Sequence, residues 1–340
     1  QRDPGFMTAG ATDAAVGPPP PFDQECAVAL DVVPPWLARS VTPQTIEARR
    51  AGERAAPPVE GAALRRGGRF TVEERRIPGP AGAPAVVVLV CRPTWVAAPT
   101  TAVLHLHGGG MIGGGTRTTI AEPLDWAEHL GATVVSVDYR LAPEHPYPAQ
   151  VEDCYAALLW LGGQAPSLGV DPRRIVVAGV SAGGGLAAAL ALLTRDRDGP
   201  SLAGQMLLCP MLDDRNDTVS AHQMAGTGIW DRTSNQTGWD ALLGAARGGL
   251  EVAPYAAPAR ATDLTGLPPA YLDVGSAETF RDETVAYASR LWQAGGIAEL
   301  HVWPGGFHGY PGLAPTARIS QETVAARLRW LRRLLDQEAL

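Results

Sequence analysis

Arg174-Ile-Val-Val-Ala-Gly179-Val180-Ser181-Ala182-Gly183-Gly184-Gly185 is the stretch that decides how this chain folds. Its first half is an apolar, β-branched run of strand length. The Ala/Leu-rich stretch after it, 182–195, has the composition of a helix. Between them, glycines two places before and two places after Ser181 let the backbone reverse without side-chain clash. A serine on such a strand-to-helix turn is lifted to the top of a sheet, with the helix N-terminus beneath it. The five-residue Gly-x-Ser-x-Gly pattern alone is a weak signal, and an ordinary glycine-rich turn is the bland alternative; its position between strand and helix gives it meaning.

Working outward, strand patterns fall at 69–76, 84–91, 102–107, 132–138, 174–180, 204–210, 269–274 and 297–303. Helical patterns fall near 119–130, 149–162, 182–195, 281–294 and 318–337, the last with Ile319, Val324, Leu328, Leu331 and Leu335 on one stripe. This alternation predicts an α/β fold: a mostly parallel eight-stranded sheet with helices on both faces. No helix separates the first two strands, so they should pair antiparallel at one edge. Residues 61–210 and 263–340 form the expected core. The polar, irregular stretch 211–262 is too long for a plain connection and reads as an inserted lid. Residues 22–60 carry amphipathic helical spacing and read as the N-terminal part of the same cap. Residues 1–21, ending in Pro18-Pro19-Pro20-Pro21, read as a disordered or extended lead-in.

His107-Gly108-Gly109-Gly110 follows the third strand and offers unshielded backbone amides. Acyl transfer needs both parts: a nucleophile, and donors waiting for the oxyanion its attack creates. Gly108, Gly109 and Ala182 are the expected oxyanion donors, with His107 holding the loop. The same loop contains Gly108-x-Gly110-x-x-Gly113, which matches a dinucleotide-binding fingerprint. Against that reading, the glycines run on to Gly115 and threonines follow, so no helix starts inside the motif, and Ser181 is left unexplained.

The base is expected last. His308, in Gly305-Gly306-Phe307-His308-Gly309, follows the final strand. The orienting carboxylate should lie between Ser181 and His308. Glu278 stands at a strand exit; Asp282 is the alternative, and Asp273 should point elsewhere. Asp138, Arg140 and Glu144, in a proline-rich turn, read as a polar network supporting the glycine loop. Trp36, Met111, Val180 and Trp230 are candidate pocket residues, with cap packing as the bland alternative.

Composition narrows the field. The net charge is −7 and every cation is arginine, a balance that excludes a basic nucleic-acid-binding face. Four widely spaced cysteines, Cys26, Cys91, Cys154 and Cys209, read as buried thiols, with no metal and no cofactor called for. The longest apolar runs are strand-length, so no membrane span is expected. Gln1 to Phe6 reads as an added leader before a native Met7, and no secretory pattern follows, so a cytoplasmic location is expected. Exposed edge strands and a long last helix leave room for a homodimer.

The segments HGGG at 107–110, DYRLAPEHPYPA at 138–149, GVSAGG at 179–184, ETFRDE at 278–283 and HGY at 308–310 together resemble the bacterial hormone-sensitive-lipase-like family of α/β-hydrolase carboxylesterases. The resemblance runs from about residue 70 to the end. It implies Ser181 as nucleophile, His308 as base, the three amides as oxyanion donors, and a cap over an acyl pocket. Two positions depart from the family pattern: Val180 stands where Asp or Thr is usual, and Glu278 where the acid is usually aspartate. The expected function is two-step hydrolysis of small to medium acyl esters, a small-molecule substrate and no cofactor. The alternatives are the same triad acting on an amide, lactone or biosynthetic intermediate, and a non-catalytic binding protein on the same fold.

Overall fold

The computed structural model describes residues 16–57 and 59–337. Most of the expected N-terminal lead-in, residues 1–15, lies outside the described residues; 16–21 run without regular structure, and the Pro18 carbonyl accepts from Gln223 at 3.0 Å. Short helices come first: α1 (Gln24–Leu30), α2 (Pro35–Ala38), α3 (Ile46–Ala55) and α4 (Gly61–Arg65). The α/β part follows as β1 (Phe70–Ile77), β2 (Val86–Pro93), β3 (Thr100–Leu106), α5 (Ala121–Leu130), β4 (Thr133–Asp138), α6 (Ala149–Leu168), β5 (Val170–Val180), α7 (Ala182–Asp196) and β6 (Gly204–Leu208). Then come α8 (Val219–Gln223), α9 (Arg232–Leu243), β7 (Ala270–Gly275), α10 (Arg281–Gln293), β8 (Ala298–Trp303), α11 (Tyr310–Leu313) and α12 (Arg318–Gln337).

The eight strands form one sheet in the order β1-β2-β4-β3-β5-β6-β7-β8. β1 pairs antiparallel with β2, as expected, and β2 also pairs antiparallel with β4; all other pairs are parallel. The register places Leu106 of β3 opposite Gly179 of β5, and Leu208 of β6 opposite Val180. The ends of β3, β5 and β6 therefore lie side by side, so residues far apart in sequence leave the sheet together.

The strand patterns are close to the observed strands. β5 begins earlier than its apolar run, because Asp171-Pro172-Arg173 breaks the pattern while the ladder continues through a register shift. α7 is buried almost throughout, as an all-apolar helix must be. α12 differs from its expected stripe. The buried face runs through Thr323, Ala326, Arg327, Trp330, Leu331, Leu334 and Leu335, so it includes an arginine. Arg327 clamps Asp273 through two bonds of 2.6 and 2.9 Å and reaches Glu122 at 2.7 Å. Asp273 thus points away from the top of the sheet, as expected for a carboxylate inside a strand.

The 211–262 stretch is less irregular than its composition suggests. It forms α8 and α9, and Met211, Leu212, Trp239 and Leu242 join the main core. It also meets the N-terminal segment. The Val41 amide donates to Ser234 Oγ and the Val41 carbonyl accepts from Thr237, each at 2.8 Å.

Removing one partner of a buried ion pair strands the other. Arg327→Met should lower stability by about 3–5 kcal/mol, read as a reduced urea midpoint; an unchanged midpoint would contradict this account of the α12–β7 junction.

Candidate active site

Three backbones meet at the turn after β5. Ser181 caps α7 with φ 60° and ψ −118°, a conformation that side chains rarely take. Its amide donates to Leu208, and its carbonyl accepts from Gly185 and Met211, at 2.8, 3.0 and 3.0 Å. A Cβ on Gly179 would lie 2.0 Å from the Gly183 carbonyl oxygen, and one on Gly183 would lie 2.0 Å from that of Leu106. Glycine is therefore required at both places by closeness of approach.

The β3 exit loop lies against this turn. A Cβ on Gly108 would meet the Val180 carbonyl oxygen at 3.1 Å and the Ser181 Cβ at 3.5 Å. Among the described residues, no backbone acceptor takes the Gly108 or Gly109 amide. His107 is fully buried, stacked on Tyr139 with ring centres 4.1 Å apart. Its Nδ1 lies 2.8 Å from the Gly108 carbonyl, which accepts the ring N–H, and the Tyr139 hydroxyl donates to the His107 carbonyl at 2.7 Å. Burial pushes the His107 pKa down to about 4 despite the bond to Gly108, so the ring is a neutral brace near pH 7.

Glu278 and His308 arrive from the exits of β7 and β8. His308 Nε2 lies 3.0 Å from Ser181 Oγ, and His308 Nδ1 lies 3.0 Å from Glu278 Oε1. The other Glu278 oxygen accepts the Gly275 amide at 3.2 Å. Both side chains are largely buried, and Phe280 packs edge-on against the imidazole. Burial pushes His308 toward the neutral form; the Cys209 sulfur and the Glu278 carboxylate pull the other way, and the balance lies above the ordinary histidine value. Burial pushes the Cys209 thiol up, so near neutral pH it keeps its proton and Glu278 supplies the charge that matters.

The structure separates the two acid candidates. Asp282 accepts from the Ser220 amide and from Arg281, both at 2.7 Å, while Glu278 bonds the imidazole. The expected Asp138/Arg140/Glu144 network is not one. Arg140 pairs with Asp153 at 2.8 and 2.9 Å, and Glu144 accepts from Arg50 at 2.6 and 2.9 Å. Asp138 does approach the loop, with Oδ1 3.3 Å from where a Gly115 Cβ would stand. The polar ties to the loop come from α3: Arg50 donates to the carbonyls of Ile112 at 2.6 Å and Ala142 at 2.8 Å, and Glu53 accepts from the Gly114 amide at 3.2 Å. Nothing in the sequence neighbourhood of Arg50 marks it out, because its partners are supplied by the fold.

The four pocket candidates divide. Trp230 is buried over the glycine loop: a Cβ on Gly110 would lie 2.1 Å from its ring, and its carbonyl accepts from Thr279, next to Glu278, at 2.6 Å. Val180 borders Gly108, and Met111 is buried with φ 66° just after the loop. Trp36 packs instead on Gly52 and beneath the Arg49 guanidinium, within the α2–α3 pair. Two neighbours of the site were not singled out from sequence: Tyr139, which braces His107, and Cys209, which follows β6. The strand-exit rule that located Glu278 and His308 also covers Cys209.

A serine, an imidazole and a carboxylate joined in this order, beside bare amides at the strand-exit rim of a parallel sheet, define a serine hydrolase of the acyl-transfer class. Residues 103–312 match the family described as alpha/beta hydrolase fold. Carboxylesterase NlhH of Mycobacterium tuberculosis is 39% identical over 272 residues, 78% of this chain and 83% of that protein. Among solved structures, Bacterial Heroin Esterase has a TM-score of 0.85 and 40% identity, covering 92% of this chain and 98% of that one. Esterase LipW from Mycobacterium marinum has a TM-score of 0.78 and 34% identity over 94% of this chain and 99% of that one. The chain belongs to the hormone-sensitive-lipase-like family of α/β-hydrolase carboxylesterases, and it is a carboxylic ester hydrolase.

Gly183→Ala forces the β3 exit away from the turn. Overpacking of this kind costs about 1–3 kcal/mol, so the variant should melt at lower temperature and lose most of its esterase activity. Wild-type melting together with wild-type activity would show that the backbone contact is not needed.

Proposed function

We propose that Ser181 is the nucleophile, His308 the general base and Glu278 the residue that orients His308. The observation that carries this reading is the unbroken chain Ser181 Oγ–His308–Glu278, with both links at 3.0 Å. His308 Nε2 takes the hydroxyl proton as Oγ attacks the ester carbonyl. The Gly108, Gly109 and Ala182 amides donate to the resulting oxyanion, at the N-terminus of α7. The tetrahedral intermediate collapses, the alcohol leaves with the proton from His308, and an acyl-enzyme remains. Water activated by the same imidazole then releases the acid. Glu278 keeps Nδ1 protonated and stabilises the imidazolium, while its second oxygen, held by the Gly275 amide, limits rotation of the carboxylate.

Residues 22–60 and 211–262 act as the two parts of a cap over the acyl pocket. Their mutual bonds through Val41 and the seating of Trp230 on the glycine loop support this reading. Trp230, Val180 and Met111 border the acyl site and favour small to medium acyl groups. No helix among the described residues is long and apolar enough to cross a membrane. We assign the enzyme to the cytoplasm. β8 is an edge strand with Val302 and neighbouring Ile297 exposed, which supports a homodimer through that edge.

Ser181→Ala should lower turnover of a short p-nitrophenyl ester by at least about 10³-fold, and a fluorophosphonate probe should label wild type at Ser181 and not the variant. Retained turnover in the variant would end the assignment. The base must be neutral to accept a proton, so activity falls as pH drops through the His308 pKa. Glu278→Gln removes the anion that raises that pKa. Its kcat/KM should fall, and its acid limb should move to lower pH by about one unit or more; an unmoved limb would remove Glu278 from the role.

A further inference from the structure

Cys209 leaves β6 at the same rim as the triad, beside His308, and neither transfers a proton nor forms a bond in the chemistry above. Its sulfur, a carboxylate oxygen of Glu278 and a ring nitrogen of His308 all lie within 4.8 Å of one another. The three residues come from three different strand exits, so the sheet sets their spacing. Cys209 is held at φ 37°, in the left-handed region where glycine is favoured, and its amide donates to the Asp273 carbonyl at 2.8 Å. The cluster is largely buried, with Glu278 at 2% and Cys209 at 7% exposure.

We propose that Cys209, Glu278 and His308 form a binding site for a divalent cation of the zinc class, and that its occupation switches the esterase off. The donor set is one sulfur, one oxygen and one imidazole nitrogen, the set such cations take, with a fourth position left for water. Bonds of about 2.0–2.3 Å in tetrahedral geometry place ligand atoms about 3.3–3.8 Å apart, so the Glu278–His308 pair, 3.0 Å apart, opens slightly while the outer spacing closes by about 1 Å. Charge also fits. Binding expels the thiol proton to solvent, and the thiolate and carboxylate together cancel the two positive charges of the cation within a buried site. The imidazole presents the Nδ1 lone pair to the metal, its proton passing to Nε2, and the Glu278 carboxylate is drawn into the same coordination sphere, so Nε2 can no longer accept the Ser181 proton. The link from Ser181 through His308 to Glu278 is thereby broken.

Only the inhibitory half rests on His308 being the base; metal binding does not. The two are therefore measured separately. Zinc chloride is titrated into the metal-stripped enzyme during ester hydrolysis, for wild type and Cys209→Ser. Wild type should lose activity at micromolar zinc and regain it with EDTA. Cys209→Ser, compared with its own zinc-free rate, should need about 100-fold more zinc for the same fractional loss. In parallel, cobalt(II) should give a thiolate-to-metal charge-transfer band with wild type and with inactive Ser181→Ala, and none with Cys209→Ser. Equal zinc sensitivity in wild type and Cys209→Ser, or no thiolate band in wild type at millimolar cobalt, would overturn the site. A band without zinc inhibition would overturn the switch while leaving the site.

Discussion

The turn at Ser181 depends on how closely three backbones approach. β3, β5 and the start of α7 touch main chain to main chain at Gly179 and Gly183, where a single added carbon would fall 2.0 Å from a carbonyl oxygen. That closeness does two things. It brings the glycine loop after β3 against the serine, and it holds Ser181 in a left-handed conformation that the flanking ladder must stabilise. Parallel pairing of β3 with β5 and of β5 with β6 supplies that stabilisation, because hydrogen bonds on both sides of β5 fix the point where the chain must turn.

The electrostatics follow from burial. Two histidines only a few positions apart on the rim have opposite protonation behaviour. Among the described residues, no carboxylate bonds His107, and burial pushes it toward the neutral form. His308 is largely buried as well but faces Glu278, which favours the imidazolium. A ring that only braces a loop has no need to hold charge, whereas one placed between a hydroxyl and a carboxylate has an anion at hand to stabilise its charged form.

The sheet was legible because apolar strand runs and turn residues alternate with few exceptions. The grouping of Ser181, His308 and Glu278 was legible because each sits just past a strand, and parallel strands gather their exits at one rim. Arg327 was missed as a buried residue because charge argues for exposure, and only the fold reveals Asp273 and Glu122 waiting for it. The Asp138/Arg140/Glu144 reading failed for a related reason. Neighbours in a turn were paired with one another, while their partners, Asp153 and Arg50, come from helices that only the tertiary structure brings near. Glu278 against Asp282 could be separated only by seeing which one the start of α10 and the Ser220 amide had already claimed.

Arg50 adds a mechanical coupling. One guanidinium joins the carbonyls of Ile112 and Ala142 to the Glu144 carboxylate, so α3 and the glycine loop after β3 are fastened together. Any displacement of α3 would strain those fastenings and pull on the backbone just past Gly110. The loop thereby inherits the rigidity of a helix that is its neighbour only in space.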